Sequence, residues 1–175
     1  RHEMGINSFT KMRASSWENA AITHMNTYKN LIKNPSEIKY SYPPIQLKHI
    51  KKLTTELGII QFSKISIPDL DSGYTLDDNA RALIAFCMHY KQTQDKEDLA
   101  YILIYLDFIQ RCQQPKGDFI NYVDQENREH IEQNAEVNLE DSNARALWAL
   151  GTVVSLSDIL PEAITKKATR CLLNS

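Results

Sequence analysis

The chain has 175 residues, 42% hydrophobic and 24% charged, which suits a single globular domain with a real core and excludes collagen-like, disordered and two-domain catalytic architectures. Twenty Lys and Arg against 22 Asp and Glu leave a net charge of −2 with no basic stripe, so a nucleic-acid partner is not expected. No run approaches roughly 18 apolar residues, so no transmembrane segment is expected. Cys87, Cys112 and Cys171 lie far apart in apolar segments, which suits reduced thiols in a cytoplasmic protein better than a disulfide frame or a metal site.

Glycine is scarce, five residues against a usual share of about 7%, and apolar spacings of three and four recur, so helices should dominate with strands minor. A short helix is expected over Met4–Met12. A second opens at Ser15 or Ser16, where Ser15 with Glu18 has the spacing of a capping box, and runs to about Lys33. Trp17, Ala21, Met25 and Tyr28 then share one face committed to a core. Asn34 to Pro44 breaks the pattern and reads as a linker. From Pro44, Ile45, His49, Ile50 and Leu53 continue a helix to a stop at Gly58. Residues 59–74 read as a loop with a short extended piece at Ile59–Phe62. Helices follow at Leu76–Tyr90, Asp95–Gln113, Leu139–Leu156 and Pro161–Leu173, and the long connection Gln114–Asn138 carries the mark of a functional loop. Arg1 in place of an initiator methionine, with apolar periodicity almost to the last residue, suits a piece excised from a longer chain.

One internal repeat organises the second part. Asp77-Asp78-Asn79-Ala80-Arg81-Ala82-Leu83-Ile84-Ala85 recurs 64 residues later as Asp141-Ser142-Asn143-Ala144-Arg145-Ala146-Leu147-Trp148-Ala149, with seven of nine positions identical. A period of that length holds two helices, so the unit is a helical hairpin. Such hairpins bury their faces against neighbours in a solenoid or a closed toroid. Ala-rich helices preceded by long loops favour the second. The fold expected is therefore all-α, an α/α-hairpin toroid-like domain forming an incomplete ring.

Two readings compete for the repeated acids. In the structural one, Asp77–Arg81 and Asp141–Arg145 are ion pairs four residues apart, and Thr75–Asp78 and Asn138–Asp141 have cap-plus-three spacing. In the functional one, both helices aim their openings into one cleft. Asp77, Asp78, Glu140 and Asp141 then form a carboxylate rim, with Tyr74, Tyr122 and Trp148 as flat surfaces for sugar rings. Two acids of such a rim, from Asp77, Asp78 and Asp141, have the chemistry for glycoside cleavage. A third possibility is a non-catalytic spacer or oligomerisation module. Phosphate-binding glycine motifs, the G-x-S-x-G elbow and metal-ligand spacings are absent from the sequence.

Two stretches resemble a known family. Arg1–Ile32, especially Met4-Gly5 and Ser16-Trp17-Glu18-Asn19-Ala20-Ala21, resembles the closing helices of a GT-B-type glycosyltransferase. From Pro43 onward the chain resembles the helical domain that follows this module in bacterial group 1 glycosyltransferases. That likeness rests on Gly58-Ile59-Ile60-Gln61, Gly73-Tyr74, Gly117-Asp118-Phe119-Ile120-Asn121-Tyr122, the first copy of the repeat, and the second copy extended from Glu140 to Gly151.

The resemblance implies residues 1–35 as the terminal helices of an upstream transferase module and 36–175 as the first part of an α/α-hairpin domain. It also implies a glycan and the upstream transferase domain as partners. On the cleft reading of the residues themselves, the glycan is expected to be contacted by Tyr74, Arg81, Asn121, Tyr122, Glu140, Arg145 and Trp148, and an incomplete ring with exposed apolar inner faces is expected to pair with itself as a homo-oligomer. The parent protein would use a nucleotide sugar. This stretch would need no cofactor or metal and would not transfer sugar alone, since the donor-binding region belongs upstream. The chain departs from the family at three places: Phe62 and Ile120 stand where His is usual, and Asn143-Ala144 replaces His-Gly.

Overall fold

The computed structural model describes residues 2–12, 15–32, 43–126, 129 and 131–175. The chain divides into two compact units, Arg1–Ile45 and Gln46–Ser175. Most of the expected linker, residues 34–42, lies outside the described residues.

The first unit holds α1 (His2–Met12) and α2 (Trp17–Leu31). Ser16 rather than Ser15 caps α2: its backbone is extended and its hydroxyl accepts a 3.2 Å hydrogen bond from the Asn19 N–H. The face expected to enter a core does not do so. No residue of α2 is buried, and Trp17 is 92% exposed.

The second unit is mainly helical with a few two-residue strands. It begins with α3 (Lys48–Leu53), which ends well before Gly58. Two threonines account for the early stop, because β-branched hydroxyl residues compete with the helix for its own backbone groups. The Thr54 hydroxyl donates to the Ile50 carbonyl and lies 2.7 Å from the Tyr105 hydroxyl. That of Thr55 donates to the Gly58 carbonyl and pairs with the Tyr74 hydroxyl. The chain turns, and Thr54 bridges back to Ile59.

The stretch expected as a loop is more extended than its sequence indicates. β1 (Ser63–Lys64) and β2 (Ile67–Pro68) form an antiparallel hairpin, Leu70–Ser72 makes a 3₁₀ turn, and β3 (Tyr74–Thr75) pairs with β4 (Tyr122–Val123). The expected extended piece at Ile59–Phe62 is represented by Ile60, which bridges Tyr74. Gly73 permits the close approach of these strands. Its φ is +68°, and a Cβ there would stand 2.6 Å from the Val123 carbonyl oxygen.

Two hairpins carry the core: α4 (Leu76–Thr93) with α5 (Asp98–Cys112), and α7 (Glu140–Ser155) with α8 (Glu162–Leu173). The sequence boundaries of these four helices hold to within a few residues. A short α6 (Ile131–Glu136), not expected, lies in the long connection. α4 packs against both α5 and α7, so the two repeat helices are neighbours. Phe86 of α4 stacks on Tyr101 at 4.8 Å between ring centroids and tilts against Tyr105. One turn closer to the α4–α5 connection, His89 Nδ1 lies 2.6 Å from the fully buried Asp98 carboxylate. All three cysteines are free and buried, and burial pushes the Cys87 thiol up to about 12. Among the described residues, no helix is long and apolar enough to cross a membrane.

Candidate functional site

The repeated asparagine builds both helix openings in the same way. Asn79 Oδ1 accepts from the Ile59 N–H at 2.9 Å while its Nδ2 donates to the Thr75 carbonyl at 2.8 Å. Asn143 Oδ1 accepts from the Phe119 N–H at 2.8 Å, and its Nδ2 donates to the carbonyls of Phe119 and Leu139. Each amide therefore clamps an incoming extended segment onto the first turn of its helix. An amide suits this task because it offers a donor and an acceptor on one planar group.

The long connection braces the same end. The Asn121 carbonyl accepts from Leu76 N–H and its Oδ1 from Asp77 N–H, satisfying two free donors at the start of α4. Asn134 of α6 holds Asn121 and Tyr122 in place through their backbone N–H groups.

The openings meet through charge. Arg81 Nη2 donates to Asp77 Oδ2 at 2.7 Å and to Asp78 Oδ1 at 2.8 Å. Arg145 Nε donates to Asp141 Oδ2 at 2.8 Å and also lies 3.0 Å from Asp77 Oδ1, joining α7 to α4. Asp77 Oδ1 is buried and accepts no hydrogen bond of good geometry, so this contact is an ion pair. Burial raises the Asp77 carboxyl above its ordinary value, against the pull of Arg81 and Arg145 and with a smaller push from Asp78 and Asp141. The two acids expected at one rim, Asp77 and Asp141, are thus held by the same guanidinium.

The other expected residues fall into two groups. Thr75 caps α4 together with Asp78: the Asp78 N–H donates to the Thr75 hydroxyl, and that hydroxyl donates in turn to the Asp78 carboxylate. Asn138 instead accepts from Glu140 N–H, and Asn138–Asp141 is not the cap. Tyr74 is 5% exposed, with its ring tilted on Phe108, and so offers no free face to a sugar. Asn121 is 8% exposed, with its side-chain oxygen spent on α4. Glu140 and Asp141 are exposed, and Tyr122 is half-buried beside Thr75. Trp148 is 61% exposed, but it lies about two turns along α7, beside rather than on the rim.

Asn79, Asn143 and Asn134 were not among the expected site residues. The repeat itself contained the signal for the first two, since the same amide stands at the same place in both copies. A cavity of about 610 Å³, lined by Val154, Thr165, Lys166 and Arg170 among others, lies toward the far end of α7 from the acidic rim. Among the described residues no group of three or more His, Cys, Asp or Glu is placed to hold a metal ion. The geometry defines a pair of stacked helical hairpins whose parallel openings share one charged rim. Set against known families and curated proteins, the chain matches no family model and no curated protein.

Proposed function

We propose that the rim formed by Asp77, Arg81, Glu140, Asp141, Arg145 and Tyr122 is a glycan-contact surface, and that it binds rather than cleaves. The observation that carries this reading is the shared Arg145 bridge between Asp77 and Asp141. It presents planar donors and acceptors side by side in fixed positions, which is what hydroxyl pairs on a sugar require. The resemblance to group 1 glycosyltransferases supplies the context, a helical module that steadies an oligosaccharide or polysaccharide beside an upstream transferase domain working on a nucleotide sugar.

Glycoside cleavage is the second reading, and the raised carboxyl of Asp77 favours it, since a general acid must hold its proton near the working pH. Against it, each candidate carboxylate already has a guanidinium partner. Glycan-array binding of the chain and of Asp141→Asn and Tyr122→Ala separates the readings. Binding that both substitutions weaken about tenfold, without hydrolysis of the bound glycan, supports the contact surface. Hydrolysis lost in Asp77→Asn supports cleavage, and no glycan retained by the unsubstituted chain refutes both.

A further inference from the structure

The repeat makes α4 and α7 comparable position by position, and the comparison exposes an unfilled face. On α4, Asp77, Ala80, Ile84 and Cys87 are spaced by three, four and three, so they share one side of the helix. Arg145 reaches Asp77, so that side looks toward α7. Ala80 and Cys87 are fully buried there, and Ile84 is partly buried. Their equivalents 64 residues later are Asp141, Ala144, Trp148 and Gly151. Here Ala144 is exposed, Trp148 is 61% exposed, and a Cβ added to Gly151 would meet nothing within 4 Å. The Asp141 side chain is 77% exposed and, among the described residues, is held only by Arg145 of its own helix, whereas Asp77 has an arginine from its own helix and a second from the next repeat.

The opposite side of each helix gives the complement. Arg145 and Ala149, one turn apart, face α4, and Ala149 is fully buried. The α4 equivalents Arg81 and Ala85 are exposed, and Met88, one turn further, is 63% exposed. Among the described residues, one end of the hairpin pair thus carries the forward half of the α4–α7 interface without an occupant, and the other carries the backward half.

We propose that a second copy of this chain docks head to tail, its α4 face (Arg81, Ala85, Met88) lying on the α7 face (Asp141, Ala144, Trp148) of the first, with the partner's Arg81 meeting Asp141. The occupant follows from continuity. The surface shown to fit the forward face of this repeat is the backward face of the same repeat, and the contact would reproduce the Arg145–Asp77 pair. Arg81 can keep its own Asp77 while reaching across, as Arg145 keeps Asp141 while reaching Asp77. Because the two faces differ, a dimer leaves one of each open and association continues beyond two copies unless it closes into a ring. This does not rest on the glycan reading.

Sedimentation velocity on the full chain tests it, from about 1 µM to about 100 µM, where an interface of roughly 10 µM affinity is mostly occupied. Ala144→Arg blocks the forward face and Ala85→Arg the backward one, with circular dichroism confirming that each variant folds. Trp148→Glu and Met88→Glu replace either if it does not. The unsubstituted chain should grow past a dimer with concentration, each variant alone should stay monomeric, and an equimolar mixture should form a dimer and stop there. A monomeric unsubstituted chain at the highest concentration overturns the proposal. So does association that survives both substitutions, or a mixture that stays monomeric while the unsubstituted chain associates.

Discussion

Replacing Asn79 by Ala removes the clamp that holds the Gly58–Ile59 segment on the opening of α4. The side chain is fully buried and, among the described residues, is the sole partner of the Ile59 N–H. It also donates to the Thr75 carbonyl, at the turn where α4 begins. Truncation leaves that donor without its acceptor and the Thr75 carbonyl one bond short, where Asn79 and Thr75 are buried and Ile59 partly so. At about 1–3 kcal/mol for each group left unsatisfied, less what local relaxation recovers, the expected loss is about 2–4 kcal/mol.

Urea denaturation measures it, as a fall in midpoint with the slope unchanged. Gly58 supplies an internal control, because a Cβ there would stand 2.4 Å from Asn79 Oδ1. Gly58→Ala should therefore destabilise the unsubstituted chain, yet cost little once Asn79 is Ala. The double mutant should be less damaged than the two single effects together, by about 1 kcal/mol or more. A loss below about 0.5 kcal/mol for Asn79→Ala, or strict additivity with Gly58→Ala, would refute the clamp.

Three further outcomes follow from other parts of the structure. Since burial raises the folded Asp77 carboxyl above its ordinary 3.8, the stability it contributes is fully present below that pH and is lost as pH rises through the folded value. Asp77→Asn lacks this loss, so its stability relative to the unsubstituted chain should climb as pH rises above 3.8 in parallel urea titrations. A relative stability that falls over the same range reverses the sign. Asp98→Ala leaves His89 without the carboxylate that joins α4 to α5 and should cost about 3 kcal/mol by thermal or urea unfolding, whereas a neutral result would mean the pair is dispensable. Ile65, 99% exposed at the β1–β2 turn, has φ +61° where a β-branched side chain is strained. Ile65→Gly should raise stability by about 1 kcal/mol, and a lower melting temperature would show that the turn is held by something other than its backbone.

What could be read from the chain depended on range. Placement of the four long helices between Leu76 and Leu173 was legible because apolar spacing and capping residues act within a few residues of one another. Thr75 with Asp78 could be recognised as a cap on the same ground. The end of α3 was not legible, because the Thr54 and Thr55 hydroxyls that end it are held in turn by Tyr105 and Tyr74, distant in the chain. Nor was the β1–β2 hairpin, whose strands of two residues are too short to show an alternation.

The division is clearest at the paired openings. By itself the sequence determined that one helix start occurs twice, with the same asparagine and arginine in each, since identity between copies needs no coordinates. Tertiary packing decided that the two starts lie side by side, that Arg145 crosses to Asp77, that Tyr74 turns its ring into the core, and that Trp148 stays outside. Periodicity assigns a residue to a face of its own helix. Which neighbour covers that face is settled by contacts between segments distant in the chain, and here α4 has helices on two sides where, among the described residues, the matching forward side of α7 is open.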